Sequence, residues 1–365
     1  MKPIPFVDLK AQYYSIRDEI NFAIQNVINE TAFIKGKYVQ KFEEEYADVY
    51  GVKHCISCAN GTDAIYITLK ALGLAPGDEV ITTALSWIST SETITQAGAR
   101  VVFVDIDPDY YTIDASMIEA KITERTRAII PVHLYGHPAN MTEIMAIAKK
   151  YKLKVIEDCA QAHFAHWKGQ NVGTFGDAGT FSFFPGKNLG AYGDAGCIVT
   201  NDDKLAKVVR MFANHGAIKK HHHEFEGINS RLDGLQAAIL SIKLKYINKW
   251  TELRIKRAGI YNELFADNNI NLPAVHPLAN HVFHLYVIRS ENRNNLQTHL
   301  KDNGISTGIH YPTALPYLEA YKYLEHTPED FPVAFEYSNK ILSLPIYPEL
   351  TTESQKYIKS KSIYE

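Results

Sequence analysis

Residues 154–200 read KVIEDCAQAHFAHWKGQNVGTFGDAGTFSFFPGKNLGAYGDAGCIVT, and three short apolar runs in them decide the fold. KVIED (154–158), GTFSFF (179–184) and GCIVT (196–200) are too short for helices, rich in β-branched and aromatic residues, and bounded by Gly, Pro and Asp. Upstream, HCISC (54–58), EVITT (79–83), RVVFVDI (100–106) and RAIIPVHL (127–134) repeat the pattern. Amphipathic or turn-rich segments separate them. Seven strands alternating with helices predict an α/β domain on a mostly parallel seven-stranded sheet.

Between the strands, Asn140 followed by Glu143 ahead of Ile144, Ile147 and Ala148 reads as a capped helix start. Residues 232–265 carry one long helical pattern that leads out of a large domain, 1–245. Residues 246–365 then read as a smaller α+β domain. In it HVFHLYVIR (281–289) is a strand, LQTHLKDNG (296–304) a helix ending at Gly304, and ISTGIHYP (305–312) another strand.

Ligands of parallel sheets lie at the carboxyl ends of the strands, and the polar residues gather there. Asn60-Gly61-Thr62 follows the first strand, Ser86 and Trp87 the second, and Asp158 closes the fifth. Gly61 permits close backbone approach to an anion at a helix start, with Thr62 as a further donor; the same triplet also reads as an ordinary cap. Trp87 suits either stacking on a flat ring or packing beside the sheet. Asp158 suits a cap, an ion pair or a charged ring nitrogen. Lys187, just after a strand in SFFPGKNLG (182–190), is either a surface charge on a turn or an amine made nucleophilic by enclosure. With Ser182 and Asp158 nearby, the pocket reading prevails. A lysine that forms an imine with an aldehyde cofactor, and a carboxylate that keeps a pyridine nitrogen protonated, are the groups pyridoxal phosphate requires.

The remaining composition narrows the class. The 365 residues are 46% hydrophobic with a formal net charge of −3, which suits a large buried core and disfavours nucleic acid as a partner. The amino-terminal stretch MKPIPFVDLKAQYYSI lacks an apolar signal core, and no stretch reaches the roughly 18 apolar residues of a membrane span. A cytoplasmic location is expected. Cys55, Cys58, Cys159 and Cys197 sit in strand patterns and read as reduced core thiols; Cys55-Ile-Ser-Cys58 lacks the second pair that a zinc site needs. No GxGxxG follows a strand, so a dinucleotide fold is disfavoured. His221-His222-His223 reads as a loop rather than a metal site.

Seven stretches together resemble the DegT/DnrJ/EryC1/StrS family of sugar aminotransferases, which have the type I pyridoxal-phosphate fold. They are FVDLKAQY (6–13), ANGTDAI (59–65), PGDEVITT (76–83), IEDCAQAH (156–163), GTFGDAGTFSFFPGKNLGAYGDAG (173–196), GINSRLDGLQAAIL (227–240) and GIHYP (308–312). The resemblance implies that Lys187 holds the cofactor and shuttles protons, Asp158 meets the pyridinium nitrogen, Gln161 the ring hydroxyl, and Trp87 the ring face. Gly61, Thr62 and Ser182 would bind the phosphate, joined by Asn229 from a neighbouring subunit, so that a homodimer shares its sites. His163 would take part in catalysis and, with His310 and Tyr311, belong to the sugar pocket, while Arg231 would meet a carboxylate of the amino donor or the sugar.

A dehydratase branch of the family carries histidine at the position of Lys187, so the lysine argues for amino transfer. Phe164, Ala165 and His166 depart from the glycine-rich turn expected after His163. CISCANGTDA and the segment from His222 to Leu240 most resemble enzymes of 3-keto sugars. The implied reaction moves an amino group from glutamate to a nucleotide-linked ketosugar for surface polysaccharide, lipopolysaccharide included. UDP-3-keto-N-acetylglucosaminuronate is favoured over a dTDP-3-keto-6-deoxyhexose or a 4-keto sugar. A cofactor-binding regulatory protein without turnover is the rival reading.

Overall fold

The computed structural model describes residues 3–267 and 270–362. Its central sheet is built from β1 (His54–Cys58), β2 (Glu79–Thr83), β3 (Arg100–Val104), β4 (Thr126–Ile130), β5 (Lys154–Asp158), β8 (Ala178–Ser182) and β9 (Gly196–Thr200). Three two-residue strands, β6 (His166–Trp167), β7 (Gln170–Asn171) and β10 (Ala279–Asn280), form a small separate sheet. All seven apolar runs of the sequence supply the central sheet.

The strand order is β1-β9-β8-β5-β4-β2-β3, and β9 alone runs against its neighbours. The strands are apolar throughout rather than alternating because both faces are covered. Ile81, Val104, Ile129 and Val155 pack on one cluster and Val80, Val101, Ala128 and Ile156 on another. Helix Gly61–Ala71 begins where β1 ends, capped by Asn60 Oδ1, which accepts from Asp63 N at 2.8 Å. Asn140 caps helix Met141–Tyr151 in the same way.

Beyond the sheet, β11 (Tyr286–Arg289) pairs antiparallel with β12 (Ile341–Leu344). Three expectations need correction here. The pattern of residues 232–265 is two helices, Gly234–Leu244 and Ile247–Phe265. A tight turn donating from Tyr246 N to Lys243 O separates them, and Ile247 and Trp250 enter different clusters. In HVFHLYVIR only 286–289 is strand, because Val282 and Leu285 donate instead to Gly136 O and Tyr135 O. ISTGIHYP is no strand: Ile305 bridges to Ile4 and Gly308 to Ser343, two different partners, and no ladder forms. Among the described residues no helix is long and apolar enough to cross a membrane.

Candidate active site

The carboxyl ends of β2, β5 and β8 open into a cavity of about 560 Å³, closed from the other side by residues of 284–285 and 310–311. Gly61, Thr62, Trp87, Asp158, Gln161, Ser182, Lys187, His310 and Tyr311 all line it. The fold therefore gathers nine of the residues singled out in the sequence. Their order along the chain hid that, since His310 is 123 positions after Lys187 and reaches the cavity only by tertiary packing.

Lys187 follows β8 on a tight turn in which its N–H donates to Phe184 O. Its amine has no hydrogen-bond or ion-pair partner among the described residues. Enclosure pushes its pKa down to about 8, with Asp158 pulling the other way. Asp158 ends β5 and is buried. Its Oδ2 accepts from Thr90 Oγ1 at 2.8 Å and its Oδ1 from Ala160 N at 3.1 Å, and Thr90 in turn meets Ser86 Oγ at 3.1 Å. Thr90, which sequence reasoning missed, orients the carboxylate. The serine- and threonine-rich run Ser86–Ser91 was its only sequence signal.

Gln161 Oε1 accepts from Tyr135 N at 2.6 Å, which fixes the amide so that Nε2 donates to Tyr311 OH at 3.0 Å. The Tyr135 hydroxyl donates to His310 O. His310 Nδ1 lies 2.8 Å from Ser343 Oγ, and burial first, then Lys187, lowers its pKa to about 4. It is a neutral imidazole near neutral pH. The Trp87 ring stands at the cavity mouth, 5.7 Å from that of Tyr311.

At the start of helix Gly61–Ala71 the cap engages Asp63 N, so the amides of Gly61 and Thr62 have no acceptor among the described residues. Both readings of Asn60-Gly61-Thr62 thus hold together, since the cap exists and free donors remain beside it. Gly61 is pressed against β8: a Cβ there would stand 2.6 Å from Ser182 Cβ. The result is a concave set of donors, two amides and the Ser182 hydroxyl, at the positive end of a helix. An enclosed amine without a partner, a carboxylate facing it across the cavity, and an anion cradle fit pyridoxal phosphate.

Three singled-out residues lie elsewhere. His163 is not at the cavity; it is fully buried behind β8, with Nδ1 3.2 Å from Tyr46 OH and Nε2 donating to Ser182 O at 2.9 Å. Its ring stacks on Phe183 and burial lowers its pKa to about 4. The geometry corrects the expectation of direct catalysis, because both ring nitrogens face protein. Asn229 is exposed, bridged to Asn214. Arg231 lines a separate cleft of about 540 Å³ with Lys35, Arg210 and Glu43. The His221–His223 run is an exposed loop in which His223 Nδ1 donates to His215 O at 2.7 Å. Arg254 and His284 line the cavity although nothing in their local sequence set them apart.

Residues 14–362 match the model of the DegT/DnrJ/EryC1/StrS aminotransferase family. The chain is 46% identical over 361 residues to a pleiotropic regulatory protein of Geobacillus stearothermophilus, covering 98% of this chain and 97% of that one. It is 44% identical over 355 residues to the UDP-2-acetamido-2-deoxy-3-oxo-D-glucuronate aminotransferase of Pseudomonas aeruginosa, covering 97% and 98%. The crystal structure of NtdA from Bacillus subtilis with bound cofactor PMP superposes with a TM-score of 0.91 at 33% identity, covering 99% of this chain and 85% of that one.

Proposed function

Because the chain belongs to the DegT/DnrJ/EryC1/StrS aminotransferase family and is a pyridoxal-phosphate-dependent enzyme, we propose that it moves an amino group from glutamate to a 3-keto nucleotide-linked sugar. The observation that carries this reading is the partnerless Lys187 amine sharing one cavity with Asp158 and the donors of Gly61, Thr62 and Ser182. Bound there, the cofactor supplies an electrophilic aldehyde and a ring that draws electrons from a neighbouring carbon. Lys187 Nζ, neutral above about pH 8, takes the proton from the α-carbon of the amino donor and returns it on the other side of the exchange. Asp158, steadied by Thr90, holds the positive charge of the ring nitrogen. Gln161 Nε2 has a second hydrogen for the ring hydroxyl, and Trp87 covers the ring face.

His310 and Tyr311 meet the sugar. Asn229 and Arg231, which lie away from the cavity of their own chain, reach that of a partner subunit in a homodimer. Arg231 receives the carboxylate of a uronate, which favours UDP-3-keto-N-acetylglucosaminuronate over a dTDP-3-keto-6-deoxyhexose and places the product in surface polysaccharide. The Pseudomonas aeruginosa relative supports this choice. Four buried free cysteines and a nucleotide-linked substrate support a cytoplasmic setting. The helix break at Lys245–Tyr246 supports dividing the chain into 1–245 and 246–365.

The test supplies UDP- and dTDP-linked amino sugars with 2-oxoglutarate and follows glutamate. UDP-linked 3-amino uronates should be consumed fastest. Preference for a 4-amino isomer overturns the C3 assignment, and equal use of uronates and 6-deoxy sugars removes the carboxylate argument.

A further inference from the structure

The cavity holds one guanidinium, and that group has no counter-ion. Arg254, on helix Ile247–Phe265, lines the cavity and is only 4% exposed, yet no carboxylate lies within ion-pair reach of it among the described residues. Glu349 is the acidic group that influences it, and only from a distance. A permanently charged side chain buried without a counter-ion is costly, so its presence calls for an explanation.

The hydrogen bonds point to one. Every protein acceptor of Arg254 falls on a single nitrogen: Nη1 donates to Ile346 O at 2.9 Å, Phe283 O at 3.2 Å and His284 O at 3.4 Å. Those bonds pin the planar group, while Nε and Nη2, the edge that forms a two-pronged bond, keep their hydrogens free. His284, whose carbonyl accepts from Nη1, also lines the cavity, and its Nδ1 is enclosed without a hydrogen-bond partner among the described residues. Burial first, then the positive charges of Lys187 and Arg254 close by, lowers the pKa of His284, so these groups are clustered. A mere clamp on three carbonyls needs neither a formal charge nor an idle fork.

We propose that the Nε–Nη2 edge of Arg254, together with His284, is a carboxylate-binding subsite of the cavity, whose counter-ion arrives with the substrate. The inference rests on the aminotransferase reading above and deepens it. The shared chemistry is a carboxylate, supplied either by glutamate or, in place of the Arg231 contact proposed above, by a uronate sugar.

Glutarate, a dicarboxylate without the reacting amine, is titrated into holoenzyme by calorimetry and by the cofactor's visible absorbance, with neutral glutaramide as control. Wild type should bind glutarate and not glutaramide, and Arg254→Lys, which keeps the charge but loses the fork, should bind it at least tenfold more weakly at an unchanged melting temperature. If Arg254→Lys fails to fold, His284→Gln, with Arg254 intact, should show a severalfold loss. Single-turnover half-reactions then identify the source: slowing with glutamate alone assigns the donor, and slowing with a uronate but not a 6-deoxy sugar assigns the sugar. Wild-type affinity for glutarate in Arg254→Lys, or in His284→Gln where that variant carries the test, overturns the subsite, as does equal binding of glutaramide. Glutarate binding by a wild-type enzyme that turns over none of these sugars sinks the functional reading and leaves the subsite standing.

Discussion

Replacing Gly61 by alanine tests the anion cradle at its tightest point. The added Cβ would stand 2.6 Å from Ser182 Cβ and 3.1 Å from Ser182 Cα, and neither atom is the movable end of a long side chain. To regain ordinary contact, the start of helix Gly61–Ala71 and the end of β8 must part by roughly 0.8 Å. Overpacking of this kind costs about 1–3 kcal/mol, which for a chain of this size lowers the melting temperature of the apo-enzyme by roughly 1–4 °C. The same parting moves the Ser182 hydroxyl away from the amides of Gly61 and Thr62. A lost hydrogen bond to a charged phosphate is worth about 1.5–3 kcal/mol, so pyridoxal-phosphate affinity should fall about tenfold to a hundredfold. Scanning calorimetry of the apo-protein and fluorescence titration with the cofactor measure the two effects. Gly259→Ala is the control: it lies in helix Ile247–Phe265 with nothing within 4 Å of the new Cβ, and should stabilise the protein by about 0.5–1 kcal/mol. Unchanged cofactor affinity in a folded Gly61→Ala protein would refute the cradle.

Thr90→Val removes the hydroxyl that donates to Asp158 Oδ2 and keeps its volume, so turnover should fall about tenfold or more while cofactor content stays within twofold; normal turnover would show that Asp158 orients itself. Cofactor capture by apo-enzyme needs the neutral Lys187 amine, whose pKa is lowered to about 8, so the rate in stopped flow should climb with pH and flatten above about pH 8.5. In Asp158→Asn the carboxylate that holds this pKa up is gone, and the plateau should begin at lower pH; a plateau shifted upward contradicts the assignment. Mixing inactive Lys187→Ala with an inactive Asn229→Ala protein should restore part of the activity through hybrid dimers, and a protein that sediments as a monomer at assay concentration ends that idea.

The strands could be read from sequence because a strand buried on both faces leaves a short, continuous apolar run, and KVIED, EVITT and GCIVT are of that kind. Partners are not encoded in such runs. ISTGIHYP has the composition of a strand, yet its residues bridge to Ile4 and Ser343 in turn, which no local pattern reveals. The break near Tyr246 was equally invisible, since helical periodicity continues on either side and the two segments share their clusters, Leu244 with Ile247 in one and Ile239 with Trp250 in another. His163 shows the same limit in a turn. Ala162 N donates to Cys159 O and Ala165 N to Ala162 O, and such a turn has no fixed period by which Gln161 could be assigned inward and His163 to the far side.

Asp158 and its neighbour Glu157 carry this point into the chemistry. Both are buried carboxylates at the end of one strand, and the period of two sends them to opposite faces. Glu157 is wholly occupied: Oε1 accepts from Phe175 N and Gly176 N, and Oε2 accepts from Gly173 N and faces His133 Nε2 at 3.1 Å. Because His133 Nδ1 accepts from Ala139 N, its proton sits on Nε2 and is donated to Glu157. One carboxylate thereby ties down the 173–176 segment that leads into β8 and Lys187, while the other faces the cavity with only two internal bonds. Composition and spacing treat the two as equals. The difference between an anchor and a reactive group lies in how many donors the folded chain brings to each, and at Asp158 it leaves room for one more.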